Sequence, residues 1–83
     1  MNTITVTVCD QQKTFSYDLE VPVMQTMDTL SEDIIEVLEG CHVHLPQSNA
    51  KFFVPRLKRV INSYETLGQA GVWPGDYLVI IYG

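Results

Sequence analysis

Six apolar residues in a row, Tyr77-Leu78-Val79-Ile80-Ile81-Tyr82, stand near the end of a chain of only 83 residues. The run is rich in β-branched and aromatic side chains, and its length suits a strand better than a helix. A strand apolar on both faces has to be enclosed on most sides. The earlier elements are therefore expected to assemble around it as the central strand. Just before it, Pro74-Gly75 fits the middle of a type II turn, because proline presets φ and glycine accepts positive φ.

The chain ahead of that run supplies suitable neighbours. Residues 3–9 alternate, with Ile4, Val6 and Val8 on one face and Thr3, Thr5, Thr7 and Cys9 on the other. Phe15, Tyr17, Leu19 and Val21 alternate with polar residues in the same way. The polar link 10–13 between the two is of hairpin length, so they pair antiparallel, and Pro22 is expected to end the second strand. The period then changes to 3.6. Met27, Leu30, Ile34, Val37, Leu38 and Cys41 form one helical stripe, with Ile35 at its border. Thr26 is the expected N-cap, with a Thr29/Glu32 capping box as the alternative start, and Gly40 is the expected left-handed C′ residue. The outer face carries Asp28, Glu32, Glu36 and Glu39 and no lysine. Residues 41–50 read as a loop from which Val43 or Leu45 tucks under the sheet. Phe52-Phe53-Val54 and Val60-Ile61 read as a short hairpin around the basic turn 56–59. Together these give an α+β fold of the β-grasp (ubiquitin-like) kind. A mixed sheet of four to five strands carries one helix on one face, and the first and last strands are parallel neighbours joined by the helical crossover.

Composition narrows the function. With 46% hydrophobic and 18% charged residues the chain folds, and its length suits one domain over 1–83. It has no apolar run long enough for membrane insertion and no leader pattern, which points to the cytoplasm. Cys9 and Cys41 are expected to be free thiols. A net charge of −5 argues against nucleic acid as a partner. The charge is also uneven. Residues 1–50 hold eight acids and one base, whereas Lys51, Arg56, Lys58 and Arg59 crowd into the first nine of residues 51–83. The acidic helix and the basic hairpin leave a weak homo-oligomer open.

The segments Tyr17-Asp18-Leu19-Glu20-Val21-Pro22, Thr66-Leu67 and Gly71-Val72-Trp73-Pro74-Gly75-Asp76-Tyr77-Leu78 carry a resemblance. With the helix between them they resemble ubiquitin-like proteins, most of all the small YukD/EsaB-type proteins of Gram-positive type VII (ESX-type) secretion systems. The resemblance covers nearly the whole chain. It implies a non-conjugated, cytosolic accessory or regulatory component that performs no chemistry and uses no cofactor. It also implies protein partners in the secretion machinery, such as a membrane-associated ATPase or a membrane subunit, and recruitment to the inner face of the cell membrane.

The residues agree with an absence of chemistry. Modifier or sulfur-carrier activity on this fold needs a free Gly-Gly tail, and here Gly83 alone follows the last strand. A carrier acting through Gly83 is the alternative function. Two cysteines cannot hold an iron–sulfur cluster. Cys41, His42 and His44 match no zinc-ligand spacing and lack the pocket that a nucleophile and base require. Surfaces remain. If Leu78 and Ile80 face the helix, Tyr77, Val79 and Ile81 face away, and Phe53 joins them from the neighbouring strand. Phe53, Val79 and Ile81, flanked by Thr5 and Thr7, make the candidate partner patch, with Arg56, Lys58 and Arg59 at its rim to steer an acidic partner.

Overall fold

The computed structural model describes residues 2–45 and 50–82. Five strands form one mixed sheet in the order β2-β1-β5-β3-β4. The strands are β1 (Thr3–Asp10), β2 (Ser16–Pro22), β3 (Ala50–Val54), β4 (Arg59–Val60) and β5 (Tyr77–Tyr82), with helices α1 (Met27–Gly40) and α2 (Leu67–Ala70). β5 lies in the middle, parallel to β1 and antiparallel to β3. The terminal apolar run thus takes the central place that its composition requires.

Alternation decides what each strand contributes to the core. Val6 and Val8 from β1, Val21 from β2, Phe52 and Val54 from β3, and Leu78 and Ile80 from β5 are buried under Met27, Leu30, Ile34 and Leu38 of α1. Val43 and Leu45 both pack against the margin of this core. Val37 does not join the stripe and is 47% exposed. It precedes Leu38 by one residue and so points about 100° away around the helix.

The ends of α1 differ from expectation. Thr26 has extended N-cap backbone, but its side chain caps no backbone N–H. Instead it donates to Asp28 Oδ1 at 2.6 Å, and that carboxylate accepts the Thr29 N–H at 2.8 Å. The first two helical N–H groups, Met27 and Asp28, donate to the carbonyls of Glu65 and Ser63 at 2.8 and 3.0 Å. The Thr29/Glu32 start does not occur, since the helix is already under way at Met27. At the other end the left-handed residue is His42 (φ 65°), not Gly40. The His42 N–H donates to Glu39 O and the Val43 N–H to Leu38 O, at 3.1 and 3.0 Å. This is a Schellman closure, placed two residues late so that Val43 folds back toward Leu38.

Three other boundaries shift. Pro22 remains inside β2 opposite Thr3, which an edge strand tolerates, and the Val23 N–H carries the ladder on to Asn2 O. The short strand is Arg59–Val60, and Ile61 leaves it to enter the core. The turn α2 was not anticipated. Thr66 and Gln69 cap it reciprocally, and Gly71 closes it at φ 86°. Gly75 has φ 87°, with Asp76 N–H donating to Trp73 O at 3.0 Å, as expected of a type II turn. Residues 46–49 of the loop, and Gly83, lie outside the described residues.

Candidate interaction surface

With α1 on one side, the other side of the sheet has no helix over it among the described residues. Register assembles this open face. Ser16 pairs with Cys9, Cys9 with Val79, Val79 with Phe53, and Phe53 with Val60, so one row of side chains crosses all five strands. A second row is Asp18, Thr7 and Tyr77, and a third joins Ile81 to Lys51. Phe53, Val60, Val79 and Ile81 are half-buried, and Tyr77 is 47% exposed. Phe53, Val79 and Ile81 therefore stand together as their parity requires. Thr7 flanks them directly and Thr5 lies further along β1.

Cys9 is only 1% exposed although it belongs to this face. The Lys13 side chain reaches back from the β1–β2 turn and sets its ammonium 5.9 Å from the Tyr77 ring centre. Burial raises the Cys9 thiol pKa, and nearby Lys13 partly offsets this. The thiol is therefore neutral, small and apolar, and serves as packing rather than as a nucleophile.

The basic residues divide in two. Arg56 is held by its own fold. Its Nε and Nη2 donate to the Asp76 carboxylate at 2.8–3.1 Å, Nη2 also donates to Gly71 O at 2.5 Å, and the guanidinium stacks 3.8 Å from the Trp73 ring centre. The pairing holds the Asp76 carboxyl below its usual range, helped by the Trp73 N–H that donates to it. Arg59 pairs with Val54, whose side chain enters the core, so Arg59 lies on the helix side of the sheet. There its fork donates to both Glu65 oxygens at 2.9 and 2.7 Å. Together with the Asn62 N–H it lowers the Glu65 pKa to about 2. The structure thus does not bring Arg59 to the rim of the patch, and it commits Arg56 to Asp76. Among the described residues, no carboxylate lies within ion-pairing distance of Lys13, Lys51 or Lys58. Of these, Lys51 beside Ile81 and Lys13 over Tyr77 are the ones that the open face offers. Val60 could have been found from the register across the turn 55–58. Lys13 had no local signal, because its reach depends on a left-handed backbone, φ 55°, in the hairpin turn.

The remaining concavities are shallow. One groove, about 690 Å³, runs between α1 and the β3–β4 edge past Ile35, Phe52 and Val60. A smaller one gathers Asp10, Tyr17, Cys41, His42, His44 and Tyr82. Among the described residues no three His, Cys, Asp or Glu side chains are grouped to share a metal ion. Among the described residues no helix is long and apolar enough to cross a membrane.

Comparison with known proteins fits this architecture. A ubiquitin-like domain of the Mycobacterium tuberculosis type VII secretion protein EccD1 superposes with a TM-score of 0.76 at 24% identity, covering 98% of this chain and 99% of that one. The EccD5 ubiquitin-like domain from Mycobacterium xenopi gives 0.81 at 11% identity, covering 100% and 97%. A ubiquitin-like domain of the Arabidopsis thaliana protein At2g32350 gives 0.74 at 19% identity, covering 99% and 79%. At these identities the likeness establishes the ubiquitin-like β-grasp fold. No curated protein sequence matches. The family profile described as WXG100 protein secretion system (Wss), protein YukD, matches residues 3–80. Spanning nearly the whole chain, that match identifies it as a member of the YukD family of the WXG100, or type VII, secretion system.

Proposed function

We propose that this chain is a non-conjugated ubiquitin-like interaction module. In this reading it is a cytoplasmic accessory or regulatory component of a type VII secretion system, recruited to the inner face of the membrane by a protein partner. The observation that carries the reading is the open sheet face. Val60, Phe53 and Val79 run side by side across three strands, Ile81 and Tyr77 extend them along β5, and Lys13 and Lys51, without a carboxylate partner among the described residues, stand beside them. A half-exposed apolar patch flanked by lysines on its β1 and β3 sides suits a protein whose docking segment is apolar at its centre and acidic at its edge. Membership of the YukD family supplies the setting. The occurrence of a similar fold as a domain of EccD1, a type VII secretion system protein, supports partners of the kind such machines contain, a membrane subunit or a membrane-associated ATPase.

Val79→Asp and Phe53→Ala test this in cells that carry each variant in place of the native copy. Both variants are expected to keep the native circular-dichroism spectrum, to lose crosslinks to the secretion machinery and to reduce export of its substrates. Undiminished crosslinking and export by both folded variants overturns the assignment of the face. Intact-mass measurement of the chain from the same cells is expected to give the unmodified mass. An adduct at the C-terminal glycine overturns the non-conjugated reading.

A further inference from the structure

We infer that the open sheet face also takes helix α1 of a second copy of this chain, head to tail. The inference rests on the reading of that face as a docking surface, and it names one occupant. The two sides of the fold are electrically opposite. The outer face of α1 exposes Asp28, Glu32, Asp33, Glu36 and Glu39, and none of them has a cation partner among the described residues. The open sheet face presents Lys13 and Lys51, equally without a carboxylate partner among the described residues. At the edge of the acidic face, beside Asp33, stands Val37, 47% exposed. In the middle of the sheet face stand Val79, Phe53 and Val60, half-buried. The sheet face thus has an apolar centre with lysines at its edge, and the helix face is carboxylate at its centre with one apolar residue at its margin, so the two are of opposite sign.

The shapes agree as well. A helix of fourteen residues is about 21 Å long, and four strands at about 4.8 Å spacing offer a bed of similar width. The bed is the β1-β5-β3-β4 part of the sheet, because Asp18 and Glu20 on β2 would repel the helix. Pairing of like surfaces is disfavoured. Two α1 faces bring carboxylates onto carboxylates. Two sheet faces related by a twofold axis along β5 bring Lys13 close to the Lys13 of the partner copy over Tyr77. Only unlike faces satisfy each other, and they lie on opposite sides of a two-layer fold. Each contact therefore leaves one face free at either end, and copies add in a row. One helix laid on one sheet face is a small contact held largely by charge, so association is expected to be weak and to fall with salt.

Sedimentation equilibrium from micromolar to near-millimolar protein tests this with two variants, Val79→Asp on the sheet face and the double variant Glu32→Lys/Glu36→Lys on the helix. The native chain is expected to gain average mass with concentration and to lose that gain at high salt. Each variant alone is expected to remain monomeric. An equimolar mixture is expected to reach twice the monomer mass and no more, because each variant contributes one intact face. Dimerisation of either variant alone, a monomeric mixture beside an assembling native chain, or a native chain that stays monomeric throughout overturns the inference. The helix variant separates this from the docking reading above. It is expected to retain crosslinks to the secretion machinery that the Val79→Asp variant loses. That retention together with a monomeric native chain removes self-assembly and leaves the sheet face as the partner site.

Discussion

Ile80 and Ile81 are adjacent, share one strand and differ in side, so truncating each to alanine isolates the effect of facing the core. Ile80 is 0% exposed, beneath α1, opposite Phe52. Ile81 is half-buried on the open face, opposite Lys51. The loss of strand propensity is the same for both and cancels in the comparison. For Ile80→Ala, three buried carbons at about 0.8 kcal/mol each give about 2.4 kcal/mol, and the cavity left under α1 raises the cost to about 3–4 kcal/mol. For Ile81→Ala, partial burial and propensity together give about 1 kcal/mol. A chain of this length has about 4–12 kcal/mol in all. Ile80→Ala therefore removes a large share of the stability, and at about 4–8 °C per kcal/mol it lowers Tm by more than about 12 °C. Urea unfolding followed by circular dichroism measures both variants, with equal m-values as the check on two-state behaviour. Costs that agree within about 0.5 kcal/mol would refute the division of β5 into a core side and an open side.

Three further outcomes follow from the ends and turns. His42→Gly is expected to stabilise the fold by about 1 kcal/mol, read as a raised urea midpoint, because glycine adopts the left-handed backbone at φ 65° without the penalty histidine meets there. Thr66→Ala is expected to cost about 1 kcal/mol in the same assay, since it removes the hydroxyl that accepts the Gln69 N–H at 3.0 Å. Asp76→Asn is expected to cost about 1–2 kcal/mol at neutral pH by weakening the Arg56 fork. The folded carboxyl titrates below its unfolded value. Its contribution is therefore full above about pH 4 and is lost as pH falls through the folded pKa, so the gap between Asp76→Asn and the native chain closes in acid. A gap that widens on acidification contradicts that assignment.

What could be read from sequence was periodicity. Period 2 placed Ile4, Val6 and Val8 inside, period 3.6 placed Leu30, Ile34 and Leu38 over them, and parity alone brought Phe53, Val79 and Ile81 together. What could not be read depended on distant partners. Val37 carries the same hydrophobic signal as Leu38, but its place about 100° around the helix puts it at the edge of the buried stripe, where burial depends on what lies alongside. Gly40 offers a left-handed position, yet the closure falls at His42 because Val43 has a hydrophobic surface to return to. The arginines looked available for a partner as long as Glu65 and Asp76, six and twenty residues further on, were not known to meet them.

The sheet order has a consequence for how the chain is made. β5 is the last strand in sequence and the middle strand in space, the sole link between the β1–β2 pair and the β3–β4 pair. The first N–H groups of α1 find their acceptors at Ser63 and Glu65, more than thirty residues downstream. A nascent chain that has delivered the hairpin and α1 thus holds a helix without its N-terminal acceptors and a sheet without its centre. Such a chain cannot fold piece by piece as it emerges from the ribosome. It must wait for Tyr77–Tyr82, and loop closure over most of its length precedes the reward of central pairing. Until then the apolar side of β1 and the stripe of α1 are exposed together, and the interval between synthesis and folding is when this chain most needs protection from aggregation.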